Sequence, residues 1–402
     1  MLDVKTKMRN SYKVTIITGD EFCIVTKETA KYSAISDAAI ASAFARFFAK
    51  VNGNTYVFNS LTSLGSFSTE SFAKENSIRA NLHEYSDMVY FHPTRCNVKD
   101  DAVFPIRNFF DIKAKSVGND NALVSGGFFL LQTNEVDSQY SWFGDPFGLL
   151  ISNYKTYSYA TFERSCIVQD ENGDCFISRL SCSDFDYGHN DVWFTPIIIY
   201  SRATIDSNPF QICEKGFVDF LLLNGRVHDM ADSGKIECPV SGIIVRFAYS
   251  DVPDWTIGTS VDVRFTKDKK KIRFAIQCAP KLVENDRVVL TKSSFYNDYL
   301  VTPHNDECLV PRVYDRGYID GCNRIKVGMG FTKSNKLIWI ALEPNASEQI
   351  TLFDVANELL EHEAKAAIAL DGGGSVKAYH ASDEIVGAKE KKRSLPYFIE
   401  IS

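Results

Sequence analysis

"AIALDGGGSVKAYH", residues 367–380, runs an apolar segment into an aspartate and three consecutive glycines. Residues 367–370 suit a buried strand. Asp371 opens, and Ser375 closes, a backbone almost free of side chains. Three glycines in a row cost conformational entropy when they are ordered. A chain that carries them needs a tight turn or the close approach of another group to its backbone. Just upstream, "ITLFDVANELLEHEAK" (350–365) predicts a helix. Thr351 and Asp354 have the spacing of a capping box, and Leu352, Val355, Leu359 and Leu360 form one apolar stripe. Asp371 is therefore expected at the end of a buried strand preceded by a helix, a position where α/β proteins often bind ligands.

Outward from this point the chain reads mostly as short strands. "DMVYFHP" (87–93), "NALVSGGFFLL" (121–131), "FGLLISN" (147–153) and "VWFTPIIIYS" (192–201) are apolar runs broken by turn residues. "CIVQDENGDCFISRL" (166–180) places Glu-Asn-Gly-Asp between two such runs, a hairpin signal. The same style continues to about residue 300 and returns in "LIWIALE" (337–343). Glycines within a strand pattern, as at Gly126 and Gly127, mark a bulge or a close approach. Nearer the start, "YKVTIITGDEFCIVTK" (12–27) predicts a hairpin. Residues 36–51 predict a helix with Ile40, Phe44, Phe47, Phe48 and Val51 on one face. The expected fold is α+β: a small N-terminal α/β module over 1–83, then a largely antiparallel-strand domain with few helices over 84–402.

Composition narrows the function. The 402 residues are 45% hydrophobic, enough for a large core. A net charge of −7 shows no basic bias towards nucleic acid or anionic lipid, and the run "TKDKKKIR" (266–273) is expected to be a solvated strand–loop edge rather than a binding patch. No apolar run reaches membrane-spanning length. The opening "MLDVKTKMRNSYK" lacks an apolar signal core, so the expectation is a soluble, cytoplasmic protein. A virion-associated or processed secreted form is the alternative. The 10 cysteines form no Cys-x-x-Cys pair and the 7 histidines no metal spacing. They read as reduced thiols and structural or exposed rings. No cofactor is expected. A divalent cation is compatible with a phosphate substrate, but no ligand set indicates one.

Several motifs occur in a recognisable order. Ser125 to Phe129 read Ser-Gly-Gly-Phe-Phe, and Asp145-Pro146-Phe147-Gly148 follows. Cys278-Ala279-Pro280-Lys281-Leu282-Val283, Asn323-Arg324-Ile325-Lys326-Val327-Gly328, Glu343 and Leu-Asp-Gly-Gly-Gly-Ser (370–375) come next. Lys392-Arg393-Ser394 closes the series. Over roughly residues 84–402 this order resembles the phosphodiester glycosidase family. The chain departs from the family pattern at Ser125 (for Asn), at Cys278-Ala279 (for Gly-Gly) and at Glu343 (for Asp).

The resemblance implies hydrolysis of the sugar–phosphate glycosidic bond in a glycosyl-1-phosphodiester. Such a reaction builds oxocarbenium character on the sugar. It needs a carboxylate near the anomeric carbon and positive charge or backbone donors at the phosphate. Asp371 is the expected carboxylate and Glu343 a second one. Arg324 and Arg393 are the expected phosphate ligands, since a guanidinium holds two oxygens at once. Gly126 and Gly127 are expected to form the opposite wall, with Phe128 against it or against a sugar. Gly372, Gly373, Gly374 and Ser375 would offer backbone and hydroxyl donors. The partner is then a glycosyl phosphodiester, small or on a glycan, with no nucleic acid and no membrane. The rival reading is a catalytically degenerate glycan-binding or structural protein on the same fold, for example in a phage or other particle.

Overall fold

The computed structural model describes residues 1–26, 117–130, 140, 144–205, 208–299, 321–387 and 395–402. It also describes the strands Ser33–Ala34, Phe48–Val51, Asn54–Phe58, Ile78–Tyr85 and Met88–Arg95. The expected helix at 36–51 lies outside the described residues except for its last four, and these form a strand paired with Asn54–Phe58.

The α+β expectation is overturned. The described residues form seven sheets and only two α-helices, Lys292–Tyr299 and Leu352–Glu361. Every strand pair among them is antiparallel except Asn54–Phe58 with Met88–Arg95. The protein is β-rich. The physical reason lies in its turns. Asn153-Tyr154, Asn190-Asp191, Asn224-Gly225, Asn285-Asp286 and Ala381-Ser382 each have positive φ at both residues. This is the backbone of type I′ turns, whose twist suits two-residue hairpins. Each pair joins two strands directly, so local pairing replaces the crossover helices of an α/β chain.

The central layer is a seven-stranded sheet. Its order is Asp3–Met8, Tyr12–Gly19, Leu337–Pro344, Lys326–Thr332, Ala364–Ala369, Lys281–Glu284, Arg287–Val288. Both faces of its middle are buried. Ile338, Ile340 and Leu342 pack with Val355 and Leu359 of the Leu352–Glu361 helix. Trp339, Val327 and Ile368 face the other way, onto Leu150, Ile167, Phe274, Val124 and Ile399 of two five-stranded sheets. The helix forms as its sequence predicts. Thr351 Oγ1 accepts from Asp354 N at 3.2 Å, and Asp354 Oδ2 accepts from Thr351 N at 2.7 Å. Gly328 lets the helix sit close, because a Cβ there would lie 2.7 Å from Val355 Cγ1.

The expected hairpin at 12–27 does not form. Tyr12–Gly19 pairs with Leu337–Pro344, whereas Phe22–Thr26 pairs with Tyr397–Ile401 in a different sheet. The intervening turn is pinned to the chain's last residue: the N–H groups of Asp20 and Glu21 both donate to Ser402 O. Residues 3–26 are thus strands of the same sheets as the C-terminal segment.

Two buried aspartates tie a second region together. Asp170 accepts from Lys270 Nζ at 2.5 Å and from two backbone N–H groups. Asp186 accepts from Lys269, Thr195 and Arg264. Burial alone raises each carboxyl, but these donors outweigh it and hold both below the usual range. A lowered folded-state pKa contributes stability that is present above the unfolded-state value and is lost as pH falls through the folded one. Urea midpoints should therefore drop steeply on acidification below about pH 4. Asp170→Asn and Asp186→Asn should each cost about 2 kcal/mol at neutral pH and flatten that acid slope. An unchanged slope in both variants would contradict the assignment.

Candidate active site

The glycine turn is the corner at which the chain changes sheets. The Ala364–Ala369 strand runs antiparallel to Lys326–Thr332. That pairing extends past the strand: Leu370 N donates to Val327 O at 3.0 Å and Gly373 N to Ile325 O at 2.7 Å. Gly373 has φ +60°, a left-handed conformation that glycine adopts without penalty. A short 3-10 turn, Gly373–Ser375, follows, and the chain then enters Lys377–His380, which pairs with Ala122–Ser125 of a five-stranded sheet.

Asp371 stands at this corner and is 6% exposed. The N–H groups of Gly372 and Gly374 donate to no protein group among the described residues. Gly374 is half-buried. These two amides follow Asp371 on either side of Gly373, whose own N–H is held by Ile325 O.

The turn and the Gly126-Gly127 segment meet. Ser125, Gly126, Gly127, Ser375 and Tyr397 line one recess. Lys377 N donates to Ser125 Oγ at 3.3 Å, and Trp339 Nε1 to Ser125 O at 3.2 Å. Serine at this position is thus part of the corner's hydrogen bonding. Gly126 has a packing role: a Cβ there would stand 2.3 Å from Tyr397 Cε2. Gly127 N donates to Tyr397 Oη at 2.7 Å, so that amide is already occupied. Tyr397, which the sequence did not single out, is the residue that makes glycine necessary at 126, whereas a Cβ on Gly127 would meet only ordinary contacts, 3.4 Å from Tyr397 Oη and 3.5 Å from Cys278 Sγ. As lined by the described residues, the recess has no space for a water molecule.

Two further motifs pair with each other. Phe129 bridges to Pro146, and Phe147 N donates to Phe128 O at 2.9 Å. Phe128 is partly buried and packs against both main core clusters. Asp145, 1% exposed, accepts from Asn224 Nδ2 at 2.8 Å and Ser241 Oγ at 3.0 Å. It is a structural carboxylate.

Cys278 lies beside Gly127: its Sγ would be 3.5 Å from a Cβ on that glycine. Burial pushes its thiol up to about 12, the Asp371 carboxylate adds to the rise and Arg164 opposes it. One buried sulfur thus feels both a carboxylate and a guanidinium. Arg164 was absent from the sequence candidates. It is 1% exposed, with its guanidinium 4.7 Å from the Phe147 ring centroid and 5.3 Å from that of Phe162. Its signal in the sequence was a lone arginine opening the apolar run at 164–170.

The other expected residues divide. Arg324 is exposed and sits one residue before Ile325, whose carbonyl holds Gly373, so its backbone adjoins the turn. Lys326 is buried, lies 3.1 Å from Cys322 Sγ, and is pushed down by desolvation. Glu343 is ion-paired with Lys13 at 2.6 Å on the neighbouring strand, which occupies its charge. Arg393 lies outside the described residues. His380 holds Asn121 O through Nδ1 at 3.1 Å, and His362 caps the Leu352–Glu361 helix. Among the described residues no cluster of three His, Cys, Asp or Glu side chains is arranged to hold a metal.

The described residues define a β-rich protein in which the glycine turn joins the central sheet to the Ala122–Ser125 strand. Residues 255–401 match the model of the phosphodiester glycosidase family, so the resemblance read from the sequence is shown for that segment, less than half of the chain. The segment holds Cys278, Arg324, Glu343 and the whole glycine turn. The match points to a glycosidase-type hydrolase. Three solved structures are similar over 100% of this chain. A hypothetical protein from Synechocystis is 12% identical, covered over 76% of its length, with a TM-score of 0.41. A protein from Burkholderia pseudomallei is 12% identical, covered over 96%, with a TM-score of 0.46. The zebrafish N-acetylglucosamine-1-phosphodiester alpha-N-acetylglucosaminidase catalytic domain, auto-inhibited by its pro-peptide, is 9% identical, covered over 81%, with a TM-score of 0.40. No curated protein matches the chain.

Gly126→Ala should drive a methyl into the Tyr397 ring and destabilise the fold by about 1–3 kcal/mol. Gly126→Ala combined with Tyr397→Leu should recover part of that loss, read from urea midpoints. Equal loss in the single and double variants would show that Tyr397 is not the reason for the glycine.

Proposed function

We propose that the chain hydrolyses the sugar–phosphate bond of a glycosyl-1-phosphodiester. The observation that carries this reading is the Asp371 corner: a carboxylate followed by two amide donors that no group among the described residues uses, inside the segment that matches the phosphodiester glycosidases. The C1–O bond to phosphate breaks and the phosphate leaves with the electron pair. Asp371 acts at the anomeric carbon, as nucleophile or as base for water. Phosphate is a good leaving group, so the reaction makes little demand for a strong general acid. The Gly372 and Gly374 amides and the Arg324 guanidinium stabilise the charge on the departing oxygens. Arg393 belongs to the same proposed phosphate set. Ser375 donates to a substrate oxygen. Glu343, held by Lys13, is left an auxiliary electrostatic role.

The non-enzymatic reading is supported by the closed recess and by the departures at Ser125, Cys278-Ala279 and Glu343. The two readings separate in one experiment. Purified protein is incubated with a hexose-1-phosphodiester, and free sugar and phosphate monoester are quantified. Hydrolysis should be found, and Asp371→Asn should lower kcat by about 10²–10⁴ without moving the thermal midpoint. Saturable binding of the diester with no product from the wild type would favour the glycan-binding protein. Equal turnover in both proteins would remove Asp371 from the chemistry.

A further inference from the structure

Among the eight described cysteines, Cys322 is the one whose sulfur is hydrogen-bonded to a cationic side chain: Lys326 Nζ lies 3.1 Å from Cys322 Sγ. We infer that this pair is a modification site at which hydrogen peroxide drives a covalent Sγ–Nζ link between the two side chains.

Backbone hydrogen bonds hold both residues in place. Cys322 N donates to Ile350 O at 3.1 Å, and Ile350 N to Cys322 O at 3.2 Å. This anchors the cysteine next to Thr351, the cap of the Leu352–Glu361 helix. Lys326 opens the Lys326–Thr332 strand, which is paired on both sides. Cys322 is partly exposed, whereas Lys326 has no exposed surface. A lysine taken wholly out of water is costly unless its charge is matched. The contact with sulfur supplies part of that match, Asp354 adds to it and Arg324 opposes it. The other described thiols are all pushed up by burial. Thiols of that kind stay protonated and inert, while a neighbouring cation makes a cysteine reactive.

Sγ and Nζ share a proton. The pair is either a thiolate beside an ammonium or a thiol beside a neutral amine. Desolvation of Lys326 favours the neutral amine, and Cys322 opposes it. In the first form the thiolate attacks one oxygen of the peroxide and the O–O bond breaks. Sulfur becomes a sulfenic acid. The ammonium proton passes to the departing hydroxide, which leaves as water. This step removes the negative charge that held the ammonium and leaves Nζ neutral. The amine lone pair then attacks the sulfenic sulfur, the S–N bond forms, and the sulfur-bound hydroxyl leaves with an amine proton as a second water. The peroxide takes the electrons that sulfur loses, and the protein is lighter by two hydrogens. Sulfenic acids condense in the same way with backbone nitrogen. The flexible lysine stem closes the remaining gap.

The link would close a ring over Arg324 and Ile325, and Ile325 O is the acceptor that holds Gly373 N. Oxidation at Cys322 thus acts on the segment that anchors the glycine turn. The link itself does not depend on hydrolysis at Asp371.

The test uses the full chain, reduced and then treated with hydrogen peroxide, digested with trypsin and analysed by mass spectrometry. Trypsin cuts after Arg324, between the two residues, so an unlinked protein gives them on separate peptides. The treated wild type should give the two peptides joined, lighter by two hydrogens than their sum, and dithiothreitol should separate them. Lys326→Met removes the amine. It should yield no joined pair, and its Cys322 should react with iodoacetamide roughly three- to tenfold more slowly than in the wild type at neutral pH. Lys326→Arg keeps a cation that does not give up its proton. It should retain more of the iodoacetamide reactivity and still form no link. The joined pair is read on the wild type alone, so a variant that fails to fold leaves the test standing. Separate peptides from peroxide-treated, folded wild type would overturn the inference. So would equal iodoacetamide rates in the wild type and a folded Lys326→Met.

Discussion

The backbone bond from Gly373 N to Ile325 O, with its neighbour from Leu370 N to Val327 O, is the constraint from which the rest follows. It extends the central sheet past the end of its Ala364–Ala369 strand and holds Asp371 where the chain leaves that sheet. The next strand, Lys377–His380, pairs with Ala122–Ser125 of another sheet. The bond requires a left-handed residue at 373 and a carbonyl at 325 that is fixed. Glycine meets the first requirement. The Lys326–Thr332 strand, locked between Leu337–Pro344 and Ala364–Ala369, meets the second.

The first strands extend the edge of the central sheet, and the last strand, Tyr397–Ile401, lies between Phe22–Thr26 and Ala122–Ser125. Tyr397 on that last strand fills the space left by Gly126 and binds the amide of Gly127. Fold and site are thus built by the same contacts. Gly126 serves packing, whereas Gly373 supplies the left-handed backbone of the turn. Similar residues at the two places do different physical work.

Much of this was legible in the sequence because it is local. The Leu352–Glu361 helix and its capping box, the buried strand before Asp371 and the hairpin at 170–175 all follow from short-range spacing. The meeting of the Ser125 and Asp371 segments was legible only as an ordered set of motifs. What escaped was non-local. The run at 12–27 has every sign of a hairpin, yet its halves bind different sheets, because Ser402 O captures the turn amides. The α+β expectation gave a few helices too much weight. It missed that paired positive-φ turns at Asn-rich positions commit the chain to antiparallel pairing. Arg164 escaped because a single arginine in a strand pattern has no spacing to announce it. Its place over Phe147 and Phe162 is set by residues on either side of it in the fold.

The central claim is that the amides of Gly372 and Gly374 are kept free to receive an anion. Amide NMR of the protein during titration with inorganic phosphate tests it most directly. The claim predicts saturable downfield shifts of those two N–H resonances, with the amide of Gly373, bound to Ile325 O, moving least of the three. Titration that leaves Gly372 and Gly374 unmoved, or shifts that grow without saturation across the whole surface, would contradict it.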